Sequence, residues 1–268
     1  MNKRQILVIV RKDLQDFFSD KSILGLFIFL PLLFSLILPG LLLSLGTNEA
    51  LLSSINGMKS FVDHLPLDIL PKTIDSQLVA LYAILVFFML PLFMMLPIIF
   101  SNLMASFSFI GEKEHKTLEG LLSTPISTRN LIIGKMLASM IPAILVTWLA
   151  MLVYAVVVDV MGYHIFKQLL FPNMTWLMSG LLVSPLLVML SSFLVLGVSQ
   201  YIKTSKSAQS VSMLLVLPLV TLMISQSTGV MLIGVDLMLI IVGILAVLNG
   251  LAFYILTKIF NMEIYITQ

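Results

Sequence analysis

Residues 78–110 read LVALYAILVFFMLPLFMMLPIIFSNLMASFSFI and contain no Asp, Glu, Lys, Arg or His. The hydrocarbon core of a bilayer is about 30 Å thick, and about 20 apolar residues cross it as an α-helix. A transmembrane strand needs only about 9–11 residues of alternating polarity, a pattern this stretch lacks. The stretch therefore predicts a membrane-spanning helix that is longer than one crossing requires.

Five more uncharged apolar runs lie elsewhere in the chain. They cover residues 23–45, 136–158, 177–202, 211–227 and 237–257. Of the 268 residues, 59% are apolar and 10% are charged, against about 25% charged in soluble domains. A soluble fold could not hide so much apolar surface, which excludes a soluble enzyme, a disordered chain and a nucleic-acid-binding protein. We predict an all-α polytopic membrane protein with a six-helix transmembrane domain over residues 23–268.

The positive charges predict the orientation of these helices, because cytoplasmic loops are enriched in Lys and Arg. Of the 15 Lys and Arg residues, three fall in the predicted outer segments: Lys59, Lys72 and Lys167. The other twelve fall on the side that carries both termini: Lys3, Arg4, Arg11, Lys12, Lys21, Lys113, Lys116, Arg129, Lys135, Lys203, Lys206 and Lys258. We therefore expect a multi-pass protein of the cell membrane with both termini in the cytoplasm. The lack of cysteine and the preference for Lys over Arg favour a bacterial plasma membrane.

Residues 1–22 differ from the apolar runs in carrying both apolar and charged side chains. The apolar ones recur at helical spacing: Ile6, Val10, Leu14, Phe17 and Phe18. The charged ones fall on other faces: Arg11, Lys12, Asp13 and Asp16. This pattern predicts an amphipathic helix that lies in the inner membrane interface. The alternative is a flexible charged leader.

The chain offers little of the chemistry that enzymes and ion-coupled carriers use. The six predicted spans contain no Asp, Glu, Lys, Arg or His, whereas proton relays and ion pathways depend on such groups within the membrane. His64, His115 and His164 fall in predicted loops without the spacing of a metal-binding motif. No cysteine is present, so thiolate catalysis and Cys-ligated zinc are excluded. We therefore expect no catalytic residue and no metal site, and an ion-coupled carrier is disfavoured.

The most informative segment follows directly after residue 110 and reads GEKEHKTLEGLLSTPIS over residues 111–127. Leu118, Leu121 and Leu122 share one face at helical spacing, with charged residues around them. Thr124-Pro125 ends the helix, because the residue before a proline disfavours the helical conformation. The segment thus predicts a short, charged helix fixed at both ends to membrane helices and suited to being gripped by a soluble partner.

This segment resembles the signature of the ABC-2 family of transporter membrane subunits, which reads roughly G-E-[KR]-E-x-G-T-L-E-x-L-L-x-[ST]-P-[IV]-[ST], with a G-K some residues later. The matching positions are Gly111, Glu112, Lys113, Glu114, Thr117, Leu118, Glu119, Leu121, Leu122, Thr124, Pro125, Ile126, Ser127, Gly134 and Lys135. The chain departs from the pattern at Lys116, where glycine is frequent, and at Asn130, where glutamate is frequent. Neither departure touches the leucine face.

The resemblance implies that the segment is a coupling helix that docks on a separate ATPase subunit. The residues it assigns to ATPase coupling are Gly111, Glu112, Lys113, Glu114, Thr117, Leu118, Glu119, Leu121, Leu122, Thr124 and Pro125. It implies two ATPase subunits, which bind ATP and Mg, and a second permease subunit that is identical or homologous. The chain itself would be a non-catalytic membrane subunit without a cofactor. Accordingly, Arg129 stands where a phosphate-binding loop ending at Gly134-Lys135 would need its first glycine.

The resemblance implies an ATP-driven exporter, and the uncharged interior rich in Met and Phe suits a hydrophobic or amphipathic cargo such as a drug, an antimicrobial peptide or a lipid. Two alternatives stay open: a non-transporting immunity or sensor subunit that works with an ATPase, or an exporter of sodium ions or polysaccharide. The sequence does not assign substrate-contacting residues.

Overall fold

A computed structural model describes residues 3–45, 78–114, 128–199, 201–202, 204–227 and 233–259. Within these ranges every regular element is helical, and six helices are long and apolar enough to cross a membrane. The predicted fold class, an all-α polytopic membrane protein, is confirmed.

We number one amphipathic helix, α1, and six spanning helices, α2 to α7. The bounds are Lys3–Ser19 for α1; Lys21–Leu32, Leu33–Ile37 and Leu38–Leu45 for α2; Val79–Ala83, Ile84–Phe88 and Met89–Glu114 for α3; Thr128–Phe166 for α4; Met174–Met178, Ser179–Val183 and Ser184–Val198 for α5; Ser205–Ser212, Met213–Leu215 and Val216–Ser227 for α6; and Val235–Ile259 for α7. In α2, α3 and α5 the middle stretch is a π-helical turn.

The helix α4 extends well beyond the uncharged run 136–158 that predicts it. Its 39 residues correspond to about 58 Å at 1.5 Å per residue, almost twice the thickness of the hydrocarbon core. The helix consequently includes Lys135 and Asp159, which directly flank the uncharged run, and His164, which the sequence places in a loop. Lys135 and Asp159 lie about 36 Å apart along the axis, so they mark the two ends of the apolar layer.

The helix α3 forms the centre of the bundle, and most of its side chains are buried. It packs against α4, α5 and α6, while α1 lies along α4 and α7 packs on α5. The helix α7 is mostly exposed, with apolar side chains such as Leu239, Ile240 and Val247 on its outer surface. Such a surface suits contact with lipid, because lipid tails do not penalise exposed apolar side chains.

The π-helical turn of α3 supplies carbonyl groups to two buried aromatic side chains. Widening the turn disturbs the regular hydrogen-bond ladder and leaves backbone carbonyls free to accept from elsewhere. The Tyr154 hydroxyl of α4 donates to the Leu85 carbonyl at 2.8 Å, and Trp176 Nε1 of α5 donates to the Val86 carbonyl at 2.8 Å. The two rings stack in parallel with centroids 4.8 Å apart. Polar contacts therefore fix α3, α4 and α5 to one another inside the apolar core.

Candidate coupling and anchoring site

The structure describes both helices that flank the predicted coupling segment. Gly111 is buried in the last turns of α3, and that helix ends at Glu114. For Glu112, Lys113 and Glu114 the backbone is helical, and their side chains lie outside the described part of the chain. The remaining predicted coupling residues also lie outside the described residues: Thr117, Leu118, Glu119, Leu121, Leu122, Thr124 and Pro125. The helix α4 begins at Thr128, so the segment joins two helices whose own packing is known.

Three helices meet in a buried ionic cluster at this end of α3 and α4. Lys135 of α4 and Asp13 of α1 have side chains that are 2% and 6% exposed, and Lys135 Nζ lies 3.7 Å from Asp13 Oδ2. The Ser108 hydroxyl of α3 donates to the same carboxylate oxygen, and Lys135 Nζ donates to the Ser108 carbonyl. Each helix thus contributes one residue to a single hydrogen-bonded ion pair.

The cluster satisfies the charges it buries. Burying an ion is expensive unless a partner charge and hydrogen bonds replace the lost water. Lys135 gains the Asp13 carboxylate, the Ser108 carbonyl and the face of the Phe109 ring, whose centroid lies 5.9 Å from Nζ. Lys12 Nζ, which is partly exposed, lies 3.7 Å from the other Asp13 oxygen. The ion pair and its hydrogen bonds therefore connect α1 to both α3 and α4.

The buried position of Asp13 corrects the sequence prediction for α1. The sequence places Asp13 on a polar face, but the side of α1 that contacts the protein carries Ile6, Ile9, Asp13 and Phe17. Leu7, Val10, Leu14 and Phe18 line a groove on the adjacent surface, and Leu14 also packs against the core. Hence the prediction that Asp13 lies away from the apolar face is wrong, because it shares the buried face with Ile6 and Phe17, whereas Val10 and Phe18 are only partly buried or exposed. A helix that packs on the protein with one face and carries apolar side chains on the adjacent face can lie where the bundle meets the membrane interface.

Gly134 allows α1 to approach α4 closely beside the ion pair. A Cβ atom built on Gly134 would lie 2.9 Å from Cβ and Cγ2 of Ile9, closer than carbon atoms normally pack. Asn130 Nδ2 of α4 also donates to Gln5 Oε1 of α1 at 2.7 Å. The Gly134-Lys135 dipeptide therefore has a structural explanation, since the glycine admits the neighbouring helix and the lysine pairs with it. We call Asp13, Ser108 and Lys135, together with the Gly134–Ile9 contact, the α1 anchor.

Gly134→Val is expected to destabilise the protein by about 1–3 kcal/mol, because the added methyl groups overpack the contact with Ile9. The double variant Gly134→Val/Ile9→Ala should lose at least about 1 kcal/mol less free energy of unfolding than the two single variants lose in sum, because residues in contact are energetically coupled. Denaturant unfolding in detergent micelles measures all four proteins.

Gly250→Val is the matched control for this cycle. A Cβ atom at Gly250 of α7 meets no atom within 4 Å, so its effect should stay within about 0.5 kcal/mol, as for other surface substitutions. A Gly134→Val protein as stable as the Gly250→Val protein would contradict the close contact.

The described part of the chain holds no group of three His, Cys, Asp or Glu side chains that could bind a metal ion. His164 lies in the last turn of α4, while His64 and His115 are outside the described residues. No role for Asp159, Trp148 or Trp176 follows from the sequence, yet the three side chains line one cavity in the half of the bundle remote from the anchor. The signal available in the sequence was the position of Asp159 at the end of an uncharged run.

These features define a multi-pass membrane protein whose N-terminal amphipathic helix is anchored at the ends of the second and third spans that flank residues 115–127. The family profile described as ABC-2 family transporter protein matches residues 7–234, from within α1 to beyond the end of α6. The chain belongs to this family and is an ABC-2 membrane permease. No curated protein and no solved structure matches the chain.

Proposed function

We propose that the chain is the membrane subunit of an ATP-driven exporter and receives mechanical work from separate ATPase subunits. The observation that carries this proposal is the α1 anchor, placed between the two helices that flank residues 115–127. Because Asp13, Ser108 and Lys135 join α1, α3 and α4, a force applied to the segment moves three helices together. That is the connection a coupling helix needs, since allosteric motion is transmitted by rigid bodies.

In this proposal the chain does not hydrolyse ATP. Two ATPase subunits bind ATP and Mg, dock on residues 111–125, and close on nucleotide binding. Gly134 and Lys135 are engaged by Ile9 and Asp13, which leaves them unsuited to cradle a phosphate. A second permease subunit, identical or homologous, completes the pathway in the membrane.

The proposed cargo is hydrophobic or amphipathic, and the proposed direction is out of the cytoplasm. The apolar surface of the bundle and the uncharged centre of α4 support this cargo class, because an inorganic ion or a strongly hydrated solute such as a polysaccharide would find no ionised side chain along that part of α4. The charge distribution supports cytoplasmic termini in a bacterial plasma membrane.

The test is co-expression of the chain with an ABC ATPase subunit of the same source, beginning with any that is encoded beside it, followed by purification and reconstitution into lipid vesicles. We expect the ATPase to co-purify and an amphipathic dye to cross the membrane only when ATP is hydrolysed. The control is an ATPase whose catalytic glutamate is changed to glutamine. If the ATPase does not bind, the coupling proposal is wrong. Ligand-stimulated ATP hydrolysis without movement of any cargo would instead indicate a sensor or immunity subunit.

A further inference from the structure

A cavity of about 630 Å³ lies between α4 and α5, in the half of the bundle remote from the α1 anchor. Its lining includes Trp148, Met151, Ala155, Asp159, Phe171 and Trp176. The volume lies within the range of sites that bind small molecules, about 300–1,000 Å³. The rim side chains Leu152, Val156 and Leu177 are exposed, so the cavity opens sideways onto the apolar surface of the bundle. A ligand would therefore enter from the hydrocarbon layer.

Hydrogen bonds hold the aromatic walls of the cavity in place. Trp148 Nε1 donates to the Gly180 carbonyl in the π-helical turn of α5 at 2.7 Å, and Trp176 Nε1 donates to the Val86 carbonyl of α3. Trp176 also stacks on Tyr154. Both indole N–H groups are thus used by the protein, and what the tryptophans offer a ligand is ring surface.

Asp159 places a carboxylate in this apolar lining. Its Oδ1 accepts hydrogen bonds from the backbone N–H groups of Leu170 at 2.8 Å and Phe171 at 3.1 Å, which fixes the side chain at the end of the cavity. Within the described ranges Asp159 has no cationic partner, and Oδ2 accepts no hydrogen bond. This contrasts with Asp13, whose carboxylate is paired with a buried lysine. A partly buried carboxylate with aromatic faces beside it is a site for a positive charge.

We propose that this cavity binds an amphipathic organic cation. The apolar body of the ligand packs against Trp148 and Trp176 in the space between α4 and α5, and its cationic group lies beside Asp159 at the end of the cavity. Charge complementarity selects this occupant over a neutral acyl chain or a second copy of the protein. That the ligand is also the transported cargo rests on the proposed function; the binding itself does not.

The experiment uses the full chain in nanodiscs of phosphatidylcholine and a pair of probes with the same shape and opposite charge, tetraphenylphosphonium and tetraphenylborate. The only two tryptophans of the chain are Trp148 and Trp176, so tryptophan emission reports this cavity without background. Each titration is corrected with empty nanodiscs, and affinities are compared between variants for one probe at a time. We expect saturable binding of the cation by the unmodified protein.

Asp159→Asn removes the charge while its amide oxygen can still accept from Leu170 and Phe171. We expect this variant to bind tetraphenylphosphonium at least tenfold more weakly and to bind tetraphenylborate no more weakly. Ala155→Phe, which fills the cavity, should abolish saturable binding of the cation. Asp236→Asn is the matched control, because Asp236 is an exposed carboxylate at the start of α7, and it should leave the affinity unchanged. Thermal unfolding verifies that each variant is folded.

Three results would overturn the proposal. Equal affinity of the Asp159→Asn and unmodified proteins for the cation would show that the carboxylate does not recognise it. An equal loss in Asp236→Asn would show a general surface-charge effect. If tryptophan emission without probe changes with protein concentration, and the probe no longer binds at high concentration, a second copy of the protein covers the cavity. The binding assay contains no ATPase and is therefore independent of the transport assay in vesicles. Normal binding of the cation together with absent ATP-driven transport would contradict the proposed function but not the binding site.

Discussion

Lys135→Met is expected to lower the free energy of unfolding by about 3–5 kcal/mol, the typical cost of removing one partner from a buried ion pair. The methionine has nearly the shape of the lysine, so the loss comes from electrostatics. Asp13 and the Ser108 carbonyl lose their buried cation, while Asp13 is only 6% exposed to solvent. Denaturant titration of the purified protein in mixed micelles, followed by circular dichroism, measures the change.

Lys258→Met is the matched control, because it makes the same substitution at an exposed lysine in the last turn of α7. Its effect should stay below about 1 kcal/mol. The double variant Asp13→Leu/Lys135→Met should recover most of the lost stability, because apolar side chains of similar volume often replace a buried pair at no net cost. If the Lys135→Met and Lys258→Met proteins unfold at the same denaturant concentration, the anchor contributes little to stability.

The membrane-spanning helices were predictable because lipid imposes one simple requirement. A helix surrounded by hydrocarbon must be apolar over about 20 residues, so the run 136–158 predicted the centre of α4 without any knowledge of its neighbours. The ends of α4 were not predictable in this way. Lys135 and Asp159 look like loop residues in the sequence, but within the helix Lys135 pairs with Asp13, and Asp159 accepts hydrogen bonds from the backbone N–H groups of residues 170 and 171.

The orientation of α1 could be predicted only in part, because a helical pattern does not identify the partner of a charge. Ile6 and Phe17 were correctly placed on an apolar face. Asp13 lies on the same face because it pairs there with Lys135, which is far away in the sequence. The cavity between α4 and α5 was hidden for a related reason. It depends on π-helical turns whose carbonyls accept from Trp148 and Trp176, and no residue pattern in the sequence marks such turns.

Leu118→Asp is expected to weaken the binding of the ATPase by about 30-fold or more, corresponding to about 2 kcal/mol or more at a buried contact residue. The sequence places Leu118 with Leu121 and Leu122 on one apolar face, and a carboxylate there would be buried unpaired when the partner docks. Pull-down of the ATPase in detergent measures binding, and ATP-dependent dye export from vesicles should fall in parallel. Glu114→Lys should act in the same direction by reversing a charge beside that face.

Ser123→Asp is the control, since it adds the same charge to the same segment away from the leucine face, and it should bind the ATPase nearly as well as the unmodified protein. The stability of the bundle separates this prediction from the first. Leu118→Asp should unfold at the same denaturant concentration as the unmodified protein, because the predicted defect is in docking, whereas Lys135→Met should lose stability even without the ATPase. Unimpaired binding and export by Leu118→Asp would contradict the coupling role of residues 111–125, but it would not affect the predicted contribution of the α1 anchor to stability. Leu118→Asp therefore tests the docking of the ATPase, and Lys135→Met independently tests the packing of the helices.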